Sequence, residues 1–143
     1  MYLKSTLILA IFLISNEFQS MNHINKSFKG KTNKEICLLY LKKYEEKDLH
    51  GIEEMFSEDI VLRDWKIRVE GKENAIRETK KNFENATSIE IEVLSTYENT
   101  NTVAAELKII VDSTEELYVV DVITINSEGK IKSIRAYLGR GDK

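Results

Sequence analysis

The second half of the chain alternates, and that alternation constrains the fold more than any other feature. Four runs, Ile89–Tyr97, Thr102–Val111, Leu117–Asn126 and Ile131–Leu138, each switch between apolar and polar side chains. Period two sends successive side chains to opposite faces, so each run predicts a strand with one face buried. Asn99-Thr100-Asn101 and Asn126-Ser127-Glu128-Gly129 are turn clusters between such runs. Together they predict a meander of antiparallel hairpins. The chain contains no proline, so its turns rely on Gly, Asn, Asp and Ser. Two shorter strand runs, Ile60–Trp65 and Ile67–Val69, come earlier.

Helical spacing dominates before that point. Asn33 is a candidate cap for a helix with Ile36, Leu39, Tyr40 and Lys43 at i, i+3, i+4 spacing. Asp48 can cap a second, short helix carrying Leu49, Ile52, Met55 and Phe56. A third helical pattern follows Gly71, with Ala75, Ile76, Thr79 and Phe83 on one stripe. Helices first and strands mostly last define an α+β class, with a curved, mostly antiparallel sheet around the N-terminal helices. A chain of 143 residues fits one ordinary domain.

Composition narrows the function classes. A net charge of −3 argues against a protein that lives on nucleic-acid phosphates. One cysteine, Cys37, excludes an internal disulfide, and His23 and His50 alone make no zinc-ligand set. Neither a metal nor an organic cofactor is implied. Residues 1–20 read as a signal peptide: Lys4 precedes the apolar run Leu7 to Ile14, too short to span a bilayer but suited to an h-region. The reading is export, to a periplasm or outside the cell, with no stable membrane insertion once the leader is removed. The alternative is a cytoplasmic protein starting at Met21. Residues 21–32, with Lys26, Lys29 and Lys31, read as a basic flexible tether, and 33–140 as the folded domain.

Two aspartates break apolar faces. Asp64 ends the face carrying Ile60 and Leu62, and Asp121 sits mid-strand between Val119 and Ile123. A carboxylate among aliphatic side chains is costly unless it is paired or stays protonated, which makes both positions candidates for function. Tyr40 lies on the helix face that should pack against the sheet, and a buried tyrosine needs a partner for its hydroxyl.

At these residues the sequence resembles the ketosteroid isomerases, part of the cone-shaped superfamily shared with nuclear transport factor two and the SnoaL-type polyketide cyclases. The likeness runs from about Ile36 to Gly139. Tyr40, then Glu46-Lys47-Asp48-Leu49-His50-Gly51-Ile52 and Met55-Phe56-Ser57-Glu58-Asp59, looks like the family's opening helices. Gly71-Lys72-Glu73-Asn74-Ala75-Ile76 resembles the start of its third helix, and Asp121 to Asn126 followed by Ser133 to Gly139 resembles its last hairpin. The resemblance implies a cone-shaped half-barrel and three catalytic roles. Tyr40 matches the oxyanion-hole tyrosine, Asp64 the general base, and Asp121 the protonated oxyanion-hole aspartate. One departure is Trp65, where the isomerases usually carry proline.

The expected activity is therefore a steroid Δ-isomerase-like proton shift α to a carbonyl of a small hydrophobic ketone, through an enolate. Trp65, Tyr44, Phe56 and Phe83 are the expected ligand-lining residues. A polyketide cyclase-type reaction, or a non-catalytic module that binds a hydrophobic ligand or dimerises, is the alternative. Tyr118, Val120 and Val122 occupy the sheet face opposite Asp121, so a homodimer through that face is expected.

Overall fold

The computed structural model describes Phe28 and residues 30–142, and Lys31–Lys143 folds as one unit. The expected leader and most of the expected tether lie outside the described residues. Three helices lead: α1 (Asn33–Glu45), α2 (Leu49–Met55) and, after the first two strands, α3 (Lys72–Asn85). The strands are β1 (Phe56–Arg63), β2 (Arg68–Glu70), β3 (Ile89–Glu98), β4 (Thr102–Val111), β5 (Glu115–Ile125) and β6 (Ile131–Leu138). They form one curved, unclosed sheet in the order β2-β1-β6-β5-β4-β3. Every pairing is antiparallel except β1 with β6, which is parallel. The α+β reading from the sequence stands.

Thr32, rather than Asn33, caps α1. Its Oγ1 accepts from the Glu35 N–H at 3.1 Å, while the Glu35 carboxylate accepts from the Thr32 N–H at 2.7 Å. This reciprocal box satisfies two donors that the first turn otherwise orphans. Ile36, Cys37, Tyr40 and Leu41 are the buried stripe of α1. The helix ends where Lys47 takes a left-handed conformation, φ 56°. Asp48 then caps α2 by accepting from the Gly51 N–H at 2.9 Å, and it pairs with Lys43 at 2.7 Å. Gly51 leaves room for that pair: a Cβ there would press on Asp48 Oδ2 and Lys43 Nζ, and both side-chain ends would have to shift.

Phe56 is not part of the second helix. Its backbone is extended (φ −79°, ψ 140°), and it starts β1 four residues before the expected strand. The reason lies in pairing with Ile131: Phe56 matches Ile131 across β1 and β6, and the register then shifts before Val61. That irregularity hides the early strand from a period-two reading. β5 likewise starts earlier than expected, at Glu115, because Asp112 and Ser113 both adopt positive φ and close a tight hairpin from Val111. Asp112 Oδ1 also accepts from the N–H groups of Thr87 and Ser88, tying the β4–β5 turn to the start of β3.

The core lies between α1, α2, α3 and one sheet face. Ile60, Val103, Ala105, Leu107, Val119, Ile123 and Ile134 line that face, together with Asp121. The opposite face keeps Val120 and Tyr137 exposed.

Candidate active site

Tyr40 and Asp121 are both buried in the interior, on opposite layers and within electrostatic reach of each other. Tyr40 projects from the buried stripe of α1 and keeps 4% exposure. Asp121 projects inward from the middle of β5 and keeps 9%. Its register partners are Ala105 on β4 and Ala136 on β6. Both flanking side chains are smaller than the Ile and Val that fill most of the inner face. No protein group among the described residues donates a hydrogen bond to the Asp121 carboxyl, and no fully enclosed polar side-chain atom lacks a partner. The carboxyl therefore keeps a narrow accessible edge.

Burial pushes the Asp121 carboxyl from its ordinary 3.8 up to about 7. Burial disfavours the ionised form and no cation offsets it among the described residues, so the carboxyl holds its proton below about pH 7. Its neighbours register the same acid. Burial, then the Asp121 charge, pushes the Tyr40 hydroxyl well above the usual phenol range. Burial pushes the Cys37 thiol up to about 12, with Asp121 and Glu98 adding to the effect. Cys37 is a buried, protonated thiol, not a nucleophile. Tyr44, one turn after Tyr40, is pushed up to about 12 mainly by burial, opposed by a hydrogen bond from Asn82 that lowers it, with smaller upward contributions from Asp121 and Asp64. Tyr44 thus lies within electrostatic reach of both acids.

Aromatic rings wall the site on the helix side. Tyr40 sits 6.0 Å from Tyr44 and 6.0 Å from Phe56, centroid to centroid, and Tyr44 sits edge-on to Phe83 at 4.9 Å. The expected ligand-lining residues Tyr44, Phe56 and Phe83 are therefore joined to Tyr40 by continuous ring contact. Trp65 is not in this cluster. It is 42% exposed, because β1 ends at Arg63 and the chain turns outward at Asp64.

Asp64 makes that turn. Its Oδ1 accepts from the Lys66 N–H at 2.6 Å and the Ile67 N–H at 2.7 Å, while its own N–H donates to the Ile67 carbonyl. The side chain caps the β1–β2 loop in an Asx-type turn. One carboxylate oxygen is thereby fixed, and Oδ2 makes no hydrogen bond among the described residues.

Two clefts, each about 130 Å³, open elsewhere on the surface. One lies between α1 and β3, lined by Leu38, Leu41, Lys42, Glu45, Ile91 and Val93. The other lies beside Tyr118 and the C-terminal residues 139–142. Neither includes Tyr40, Asp64 or Asp121. Sequence reasoning missed Asn82, whose Nδ2 donates to Tyr44 Oη at 3.1 Å. It also missed the alanines beside Asp121. Their signal was present, as small residues inside strands otherwise rich in Ile and Val, but it has no meaning until the register is known.

The SnoaL-like domain family matches residues 39–134. No curated protein sequence matches the chain significantly. Among solved structures, the chain is similar to SalBIII, an epoxide hydrolase/cyclase-like enzyme of pyran ring formation in the polyether salinomycin. The two are 27% identical with a TM-score of 0.66, over 75% of this chain and 90% of that one. An NTF2-like protein of unknown function from Cytophaga hutchinsonii shares the fold with a TM-score of 0.66 at 15% identity, over 78% of this chain and 94% of that one. A ketosteroid isomerase-like protein from Kribbella flavida shares it with a TM-score of 0.67 at 12% identity, over 78% and 80%. With its helices packed on a curved six-stranded sheet, the fold it shares with NTF2-like proteins, and a family match covering most of the folded unit, the chain belongs to the SnoaL-like domain family.

Proposed function

We propose that the protein catalyses proton transfer next to a carbonyl of a small apolar ketone. The observation that carries this reading is Asp121, a buried acid with no cation beside it among the described residues, set between two alanines and within electrostatic reach of the buried Tyr40. A neutral Asp121 and Tyr40 donate hydrogen bonds to the carbonyl oxygen, and those bonds strengthen as the oxygen gains enolate charge. Oδ2 of Asp64 removes the proton on the α carbon and returns it further along the conjugated system. The Asx turn holds this carboxylate still at the sheet edge, so each transfer starts from a fixed geometry. Phe56, Tyr44 and Phe83 supply the apolar wall against which a ligand skeleton would lie.

Conversion of a β,γ-unsaturated ketosteroid to its conjugated isomer, followed by ultraviolet absorbance, tests the reading. Asp64→Asn and Asp121→Leu should both lose activity while circular dichroism stays native. Loss of one oxyanion donor costs about 10²–10³ in rate. Turnover by the wild type no faster than by the variants would remove the steroid assignment.

The likeness to SalBIII favours a second reading in the same site. There Asp121 protonates an epoxide oxygen while Asp64 takes the proton of an attacking hydroxyl, closing a cyclic ether. An apolar epoxy-alcohol offered to the same three proteins distinguishes the two chemistries. A homodimer through the face carrying Tyr118, Val120 and Val122 belongs to the proposal as well. Val120 and Tyr137, register partners on β5 and β6, are its exposed apolar centre.

A further inference from the structure

Asn82 and Tyr44 form a pair that the proposed chemistry does not yet use. Tyr44 is held on three sides: by the Tyr40 ring at 6.0 Å, by the Phe83 ring at 4.9 Å, and by Asn82 at its hydroxyl. The Asn82 amide donates to Tyr44 Oη at 3.1 Å. A phenol oxygen that accepts in this way still has its own proton to give. No group among the described residues receives that proton. The hydroxyl lies within electrostatic reach of Asp121 and Asp64, the two acids of the site. Asn82 is exposed, sits next to Phe83 on α3, and has no other hydrogen bond among the described residues.

We infer that Tyr44 is a third hydrogen-bond donor to the bound ligand, beside Tyr40 and Asp121, and that Asn82 is the positioning residue that turns the Tyr44 proton inward. The inference rests on the acid–base site proposed above and extends it. A ligand oxygen presented to this site meets two tyrosines one helical turn apart, so the site favours an apolar molecule carrying an enol, enolate or phenolate oxygen over a hydrocarbon of the same shape. With Asp in place of Asn82, the carboxylate could only accept, and Tyr44 would spend its proton on it.

Binding of 2-naphthol tests this, because its fluorescence separates the neutral from the anionic form. Full-length wild type is compared with Tyr44→Phe, Asn82→Ala, Asn82→Asp, the Tyr44→Phe/Asn82→Ala and Tyr44→Phe/Asn82→Asp double variants, Tyr40→Phe and Asp121→Asn, all checked for native circular dichroism. One lost donor to a charged oxygen should weaken binding about tenfold. Tyr44→Phe should show that loss, and adding Asn82→Ala to it should cause no further loss. Asn82→Asp should reduce the bound naphtholate fraction more in the wild-type background than in Tyr44→Phe, which separates an action through the Tyr44 proton from the added charge alone. If Tyr40→Phe weakens binding but Tyr44→Phe stays within about twofold of wild type, the third donor is wrong and the parent site stands. If Asn82→Ala acts additively with Tyr44→Phe, Asn82 does not work through Tyr44. If wild type does not bind, or neither Tyr40→Phe nor Asp121→Asn changes binding, the parent site falls and this inference with it.

Discussion

Replacing Asp121 with asparagine should stabilise the fold at alkaline pH and do much less at acidic pH. The folded state raises this carboxyl from 3.8 to about 7 through burial alone. Between those values the folded protein binds one more proton than the unfolded chain, so unfolding free energy falls as pH rises. The favourable balance is complete below the unfolded value and is lost as pH climbs through the folded one. The full span is a shift of about 3 pKa units, or about 4 kcal/mol, of which about 3 kcal/mol falls between pH 5 and pH 8. Asparagine has nearly the same shape, cannot ionise, and sits between the same two alanines. Urea denaturation of both proteins at pH 5 and pH 8 isolates the effect, because all other titrations cancel in the difference. The variant should gain about 3 kcal/mol relative to wild type between the two pH values. A difference that stays flat with pH would show that Asp121 ionises normally, and the argument from burial would be wrong.

Three further outcomes follow from local geometry. Thr32→Ala removes the side-chain half of the capping box on α1 and should cost about 1 kcal/mol, read as a lower urea midpoint, with Thr32→Ser restoring most of it. Gly51→Ala places a Cβ against Asp48 and Lys43, so it should break that ion pair or shift α2, costing about 1–3 kcal/mol in the same assay. Asp64→Asn keeps an Oδ1 acceptor for the Lys66 and Ile67 N–H groups and should leave stability within about 0.5 kcal/mol of wild type, whereas Asp64→Ala should lose about 1–2 kcal/mol.

Much of this fold was legible because alternation is a local signal. Val119, Asp121, Ile123 and Ile125 point inward as the period of two requires, and the stripe through Ile36, Tyr40 and Leu41 faces the sheet as helical spacing requires. What escaped depended on partners distant in sequence. Phe56 reads as the last residue of a helical stripe until Ile131 pairs with it. Thr32 outcompetes Asn33 as the cap because Glu35 stands three residues after it, so that signal was readable. For the candidate site, buried Asp121 was visible as a polar break in an apolar face. The Asx turn that exposes Trp65 was not, since any residue after Arg63 could have continued the strand. Asn82 could not be found from sequence, because its partner Tyr44 lies 38 residues away on another helix.

The central claim is that Asp64 removes a proton from carbon next to a carbonyl while Asp121 and Tyr40 hold the oxygen. Deuterium uptake at the α carbon of 2-tetralone in heavy water, followed by proton NMR, measures that step without requiring any later rearrangement. Wild type should accelerate exchange well above buffer, Asp121→Leu should slow it by about 10²–10³, and Asp64→Asn should reduce it to the buffer rate. Exchange by the wild type no faster than by buffer, or equally fast with Asp64→Asn, would contradict the account.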